Sequence, residues 1–161
     1  QIRDLPLTII PPIEDILVPD STTGATATGC AGNSCIPLRN SGLQCKAAKD
    51  QPGGIDSCFA ARGMVNTLNC LKQKGAPAFT VTEAMPATVT HQSSCHKNGC
   101  CVDTIVNSGT CDDVALLLDA VTECGATAAN EYVAASCPGA KGYETTTGNN
   151  VHINSAPGDG C

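Results

Sequence analysis

Residues 94–106 of this chain read SCHKNGCCVDTIV, and this stretch decides the fold. His96 stands in a polar loop, Gly99 follows three residues later, and Asp103 comes seven residues after the histidine. The apolar residues of Cys101–Val106 predict a short strand, and the glycine permits a sharp turn into it. An aspartate on one face of that strand would point toward the histidine. The spacing therefore predicts that His96 and Asp103 aim two ligands at one metal ion.

A third ligand is predicted near the end of the chain, where residues 150–154 read NVHIN. If this segment is a strand, alternation places His152 on the face opposite Val151 and Ile153. A single histidine is more often structural or exposed than a ligand. Two histidines and an aspartate that converge, however, make a metal site with one position left open for water.

The segment that precedes this region predicts a helix. Apolar residues recur there at three- and four-residue steps, which places them on one helical face. Gly75 is expected to end the helix, and Pro77 prevents it from restarting. The residues of the predicted face are Ile55, Cys58, Phe59, Met64, Val65, Leu68 and Leu71.

The remaining elements complete an α+β pattern. Residues 78–83 (AFTVTE) alternate as a half-buried strand does, and residues 131–135 form a weaker strand candidate. Thr110, followed by two aspartates, predicts the N-cap of a second helix that ends at Gly125. Its apolar stripe consists of Val114, Leu117, Leu118 and Val121. The order of elements predicts a small, mainly antiparallel sheet with helices packed on one side.

Twelve cysteines are spread over the chain from residue 30 to residue 161. An even, dispersed set of this size is typical of an oxidising compartment, so we expect a secreted protein with up to six disulfides. A zinc knuckle of Cys95, His96, Cys100 and Cys101 is a weaker alternative. Adjacent cysteines are poorly placed to bind one tetrahedral ion, and disulfide formation competes for them.

The chain divides into two predicted parts, an extended proline-rich arm with a linker (residues 1–29) and a disulfide-stapled domain (residues 30–161). Four prolines within residues 1–20 forbid a long helix there, yet the segment is rich in Leu and Ile. Such an arm either packs on its own domain or docks on an identical subunit by strand addition. Both alternatives remain open at this stage.

Charge and hydropathy exclude two classes of partner. The formal net charge is −6 and aromatic residues make up 2% of the chain, so neither phosphate neutralisation nor base stacking has residues to support it. We therefore expect no nucleic-acid partner. No apolar run approaches the roughly 18 residues that a membrane-spanning helix needs, so no membrane span is expected.

The run SCHKNGCCVD resembles the S-x-H-x-x-G-x-A-x-D signature of zinc D-alanyl-D-alanine carboxypeptidases, related endolysin peptidases and the hedgehog signalling domain. Cys101 stands where the signature has alanine. The order of helices and strands over about residues 55–154 is also similar to that family. The resemblance implies one zinc ion bound by His96, Asp103 and His152, and a short or cell-wall peptide as the substrate. In active members, such a zinc polarises the scissile carbonyl and activates a water.

Two features depart from the family pattern. Active members carry an arginine after the first strand, where residues 83–86 read EAMP, and a general base shortly before the last ligand, where residues 145–150 read TTTGNN. The candidates that could replace the base are Glu144, Glu131 and His91. Two hypotheses follow: a secreted zinc metallopeptidase, or a catalytically inactive extracellular structural subunit that forms filaments through residues 1–20.

Overall fold

Three α-helices and two small antiparallel sheets make up the described part of the chain. A computed structural model describes residues 29–41, 58–87, 91, 93–132, 137 and 150–161. The α+β class predicted from the sequence is confirmed. The predicted arm and most of its linker lie outside the described residues.

The strands are β1 (Cys35–Pro37), β2 (Phe59–Ala61), β3 (Phe79–Glu83), β4 (Cys101–Val106), β5 (Thr127–Asn130) and β6 (Val151–Asn154). The larger sheet has four strands in the order β3-β4-β6-β5, and every neighbouring pair is antiparallel. The smaller sheet pairs β1 with β2. The helices are α1 (Arg62–Gln73), α2 (Cys95–Asn98) and α3 (Cys111–Glu123).

One face of the four-stranded sheet carries the hydrophobic core. The two long helices, α1 and α3, contribute their apolar stripes to this core, as the helical spacing predicts. The valines and the isoleucine that the sheet contributes to this face are completely or almost completely buried, so each contributes the transfer free energy of a full aliphatic side chain. The main members are Leu68, Leu71, Val81, Val102, Leu117, Val121, Val151 and Ile153.

The predicted ends of the long helices are also found. The Thr110 side chain accepts a hydrogen bond from the backbone N–H of Asp113 at 3.3 Å and so caps α3. Gly75 and Gly125 follow α1 and α3 with positive φ angles of 74° and 70°. Left-handed backbone of this kind is what allows a chain to leave a helix at a glycine.

Two boundaries predicted from the sequence are wrong. The first helix does not include Cys58 or Phe59, because Phe59 begins strand β2 and pairs with Pro37 of β1. The strand expected at residues 131–135 does not begin at Glu131, since a strand is found instead at Thr127–Asn130; residues 133–135 lie outside the described residues. In both places pairing with a neighbouring strand decides the structure, and this pairing overrides the local pattern.

Five disulfides join described cysteines, and Cys58 is also disulfide-bonded. The bond between Cys70 and Cys124 ties the ends of α1 and α3 together across 54 residues of sequence. The other pairs are Cys30–Cys35, Cys95–Cys101, Cys100–Cys161 and Cys111–Cys137. This framework fits the predicted oxidising compartment. Within the described ranges, no helix combines the length and the apolar character needed to cross a bilayer.

Candidate metal centre

The face of the sheet opposite the core carries a row of polar side chains. In the antiparallel register, Asp103 of β4 lies directly opposite His152 of β6, so the two side chains project from the same face. Their neighbours Val102 and Ile153 are a second opposed pair and point into the core. Alternation along two strands therefore positions the carboxylate and the imidazole, as the sequence predicts for both residues.

The loop that begins at α2 brings His96 over this face. Gly99 ends α2 with a φ of 76°, and a Cβ at this position would lie 2.6 Å from the backbone nitrogen of Ala61. The N–H of Ala61 donates a hydrogen bond to the Gly99 carbonyl at 2.9 Å, which fixes the turn against β2. The predicted need for glycine at this turn is confirmed. A disulfide between Cys95 and Cys101 closes the loop around the histidine.

Three donor atoms meet above the sheet, and we call them the donor triangle: Nε2 of His96, Oδ1 of Asp103 and Nδ1 of His152. The two imidazole nitrogens are 3.3 Å apart. The Asp103 oxygen lies 3.4 Å from the His96 nitrogen and 2.8 Å from the His152 nitrogen. The structure thus brings together all three residues that the sequence predicts as ligands.

The side chains of the donor triangle are buried, and Asp103 and the histidines shift one another's pKa values. His96 is completely buried, and the side chains of Asp103 and His152 are 10% and 12% exposed. Burial opposes ionisation of Asp103, but hydrogen bonds and charge from the two histidines outweigh it and hold the pKa of this carboxyl well below its usual range. Burial also disfavours the His152 imidazolium, yet the hydrogen bond and charge of Asp103 prevail and raise the pKa of His152.

The geometry of the donor triangle fits a divalent cation. Bonds of about 2.0–2.2 Å to tetrahedral zinc place neighbouring ligand atoms roughly 3.3–3.6 Å apart. Two edges of the triangle have this length, and the third is shortened by the hydrogen bond between His152 and Asp103. One proton can be shared by only one pair of these atoms, whereas a cation at the centre would bind all three of them.

Asn154 supports one of the donors, a contact that sequence reasoning missed. Its side-chain oxygen lies 3.3 Å from Nε2 of His152, two residues away on the same face of β6. By accepting a hydrogen bond from that nitrogen, Asn154 favours the tautomer in which Nδ1 carries the lone pair. Alternation places Asn154 on the same face as His152, but no spacing in the sequence marks it as a partner of that histidine.

Sulfur atoms also lie close to the histidines, but they belong to a disulfide. Single ligand atoms of Cys95, Cys101, His96 and His152 all fall within 4.8 Å of one another. The two sulfurs are bonded to each other, and Cys100 is bonded to Cys161. A disulfide offers no thiolate, so the knuckle of cysteines and histidine considered from the sequence does not form in this oxidised state.

His91, a candidate base in the sequence, lies directly against the centre. Its ring stacks on His96 with a centroid distance of 3.7 Å and an angle of 23° between the planes. A ligand atom of His91 lies within 4.8 Å of ligand atoms of His96 and Asp103, so these three residues form a second group that could hold a metal ion. His91 is therefore a further candidate ligand at the same centre.

The other two candidate bases differ in position. Glu131 follows β5, and its backbone N–H donates to the carbonyl of Asn150. Its negative charge contributes to the raised pKa of His152, but no hydrogen bond or ion pair joins its side chain to the donor triangle within the described residues. Glu144 lies outside the described residues.

Neither protein-family models nor curated proteins provide a match for this chain. The possible metal centre therefore depends on its own geometry: a buried His/Asp cluster on a sheet, stabilised by disulfides on either side of the ligand loop.

Proposed function

We propose that this chain is a secreted zinc metallopeptidase related to the D-alanyl-D-alanine carboxypeptidase and hedgehog-like family. The single observation that carries the proposal is the donor triangle. Its three atoms come from residues 56 positions apart at most in sequence, His96 and His152, and lie within 3.4 Å of one another. The signature resemblance points to these same three residues.

The donor set favours zinc over the other common divalent cations. Two neutral imidazoles and one carboxylate are typical zinc ligands, whereas calcium and magnesium prefer sites made of oxygen atoms alone. Three protein ligands with a fourth position open are the pattern of catalytic zinc, because structural sites use four protein ligands. When bound, zinc would polarise a peptide carbonyl and make a water molecule more acidic.

The residues of this chain would hold that ion in a largely buried site. Asp103 supplies the one negative charge of the donor triangle, and the disulfide between Cys95 and Cys101 keeps the His96 loop in place without a metal. A site organised in advance loses little conformational entropy on binding. The five described disulfides support secretion, because such bonds persist where thiols are not kept reduced.

A second candidate function is a zinc-binding extracellular subunit without catalysis, which assembles through residues 1–20. It is supported by residues 83–86, where the family arginine that holds substrate is replaced by Glu83, Ala84, Met85 and Pro86. The backbone of Met85 is hydrogen-bonded to the backbone of Phe59, so this segment is held against strand β2.

One experiment separates the two. Purified, disulfide-intact protein is assayed for zinc content and then for cleavage of acyl-D-alanyl-D-alanine peptides and muropeptides. The peptidase predicts one zinc per chain and cleavage that His96→Ala abolishes. A zinc-loaded protein that cleaves none of these substrates contradicts the peptidase. If deletion of residues 1–20 then abolishes assembly and leaves the domain folded, the structural subunit is supported instead.

A further inference from the structure

A second pair of donor atoms lies beside the donor triangle, and neither atom belongs to it. These atoms are Nδ1 of His91 and Oδ2 of Asp103, which lie 4.0 Å apart, and we call them the outer pair. The other ring nitrogen of His91, Nε2, lies 3.7 Å from Oε1 of Glu83. The side chains of His91 and Glu83 are only 16% and 10% exposed. Imidazole and carboxylate are both ligands that zinc accepts.

Glu83 reaches this position through a bulge in strand β3. Strict alternation would place Glu83 on the core face with Val81. The register shifts between these two residues, so Glu83 lies opposite Asp103 of β4. A β-bulge re-aims a side chain in this way, and bulges are frequent next to active sites. Two largely buried carboxylates thus face each other across neighbouring strands, where like charges repel, and a cation beside them would offset this repulsion.

The two oxygens of Asp103 face different histidines. Oδ1 lies 3.4 Å from Nε2 of His96 and 2.8 Å from Nδ1 of His152, and it belongs to the donor triangle. Oδ2 faces His91 instead. A carboxylate placed between two sets of ligands in this way can bridge two ions, with one ion bound to each oxygen.

The spacing of the histidine rings agrees with two ions. The rings of His91 and His96 are nearly parallel with centroids 3.7 Å apart, and each directs one nitrogen toward its own oxygen of Asp103. Ions bound to these two nitrogens would lie about as far apart as the rings, and two-metal sites hold their ions about 3.5–4 Å apart. The rings of His96 and His152 have centroids 5.1 Å apart, and two imidazoles on one tetrahedral zinc are separated by roughly 5 Å.

A buried nitrogen of His91 gives a separate indication that this ring binds a ligand. Its Nε2 atom is buried and has no hydrogen-bond partner within the described residues, an arrangement that is costly. The 3.7 Å to Oε1 of Glu83 is longer than a hydrogen bond. A histidine that binds a metal through one nitrogen commonly donates its other N–H to a carboxylate, which orients the ring. Glu83 stands where that carboxylate is needed once Nδ1 binds an ion.

We infer that the outer pair binds a second zinc ion, that Asp103 bridges the two ions and that Glu83 positions the His91 ring. The inference rests on the zinc site of the proposed function and not on peptide cleavage. The second ion has two protein ligands where the first has three, and it shares a carboxylate that already binds a cation. It should therefore bind more weakly, so that the chain holds one ion at low free zinc and two at high free zinc. Paired ions of this kind orient a substrate and stabilise the charge that develops on its oxygen atoms.

The test is a titration of the metal-stripped, disulfide-intact chain with zinc in metal-buffered solutions, in which bound zinc per chain is measured. Wild type should bind two ions in two steps, the second at least about tenfold weaker than the first, whereas His91→Ala should bind one ion with an affinity within about threefold of the first step. Glu83→Gln should weaken the second step about 10–100-fold and leave the first unchanged, because the amide fills the same space but carries no charge. Glu123→Gln removes the same charge from an exposed position on α3 and, as the matched control, should titrate like wild type.

Cobalt provides a second measurement on the same proteins. Two Co²⁺ ions bridged by one carboxylate couple magnetically, so the second equivalent should reduce the electron paramagnetic resonance signal per ion in wild type and should not do so in His91→Ala. A single zinc step in wild type, a second step that His91→Ala retains, or two uncoupled cobalt ions would each overturn the inference. A single step leaves the donor triangle and the proposed function in place. Two coupled ions in a protein that cleaves no peptide support the inference and contradict the peptidase.

Discussion

The two faces of the four-stranded sheet are built from alternate residues of the same strands, yet one packs the hydrophobic core and the other carries the candidate metal ligands. On one face Val102 and Ile153 are completely buried among aliphatic side chains. On the other, their neighbours Asp103 and His152 are nearly as buried but form a charged, hydrogen-bonded pair. The comparison shows that the site gains its geometry from the core: packing on one face fixes the strand register, and the register aligns the ligands on the other.

Substitutions at adjacent positions of β6 can separate these contributions. The largest effect is expected for His152→Ala, which removes one corner of the donor triangle. With a ligand lost, we expect zinc affinity to fall about thousandfold, or roughly 4 kcal/mol at 1.4 kcal/mol for each factor of ten. Chelator competition measures it, and near-ultraviolet circular dichroism checks that the fold remains. Unchanged affinity would mean that His152 does not bind the ion.

Ile153→Ala, at the next residue of β6, removes a core side chain and leaves the donor triangle intact. Removing a fully buried isoleucine side chain leaves a cavity, so the free energy of unfolding should fall by about 2–5 kcal/mol. Denaturant unfolding under non-reducing conditions measures this loss. The folded fraction should still bind one zinc per chain with affinity close to wild type. A zinc affinity that falls as far as in His152→Ala would show that the two faces are not separable.

A smaller effect is expected from pH. Raising the pH removes the stabilisation that His152 gives the metal-free protein, whereas it increases the affinity for zinc. Because the folded pKa of His152 is raised above its ordinary 6.5, its contribution to the stability of the metal-free protein is complete below that value and is lost as pH rises through the folded pKa. Asp103, with a lowered pKa, contributes above its ordinary 3.8 and loses this contribution only as pH falls through its folded pKa. The metal-free pair is therefore most stabilising between these two ordinary values.

Zinc affinity instead rises with pH, since the ion must displace the proton from His152. Below the folded pKa of His152, affinity should fall about tenfold for each pH unit, and above it the affinity should level off. Zinc competition and chelator-treated thermal unfolding, measured over the same pH series, check both signs. Affinity that is flat with pH across this range would show that no proton leaves the donor triangle when the ion binds.

Much of this arrangement could be predicted from the sequence because it depends on alternation and short spacings. Asp103 and His152 follow from the period of a strand, and His96 follows from a loop that must turn at Gly99. The position of Glu83 opposite Asp103 could not be predicted in this way. One register shift in β3 reverses the face on which it lies, and no residue near it signals the shift.

The misplaced boundaries have an equally local cause. The spacing of Cys58 and Phe59 matches a helix by coincidence, while long-range pairing of Phe59 with Pro37 and Met85 makes that segment a strand. Strand β5 reads TAAN, and its alanines and asparagine are poor strand formers. Its pairing with β6 makes it a strand, whereas the sequence prediction depended on the stronger β-formers Tyr132 and Val133.

The neighbouring cysteines 100 and 101 have a consequence for how this protein is prepared. Each bonds in a different direction, one to Cys161 and the other to Cys95 across the ligand loop. An exchange of these partners would leave the molecular mass and the number of bonds unchanged, yet it would remove the bond between Cys95 in the His96 loop and Cys101 in β4. Mass spectrometry of the intact protein cannot detect such an isomer, because its mass is the same. The metal content of each chromatographic fraction is the more telling measure of correct oxidation.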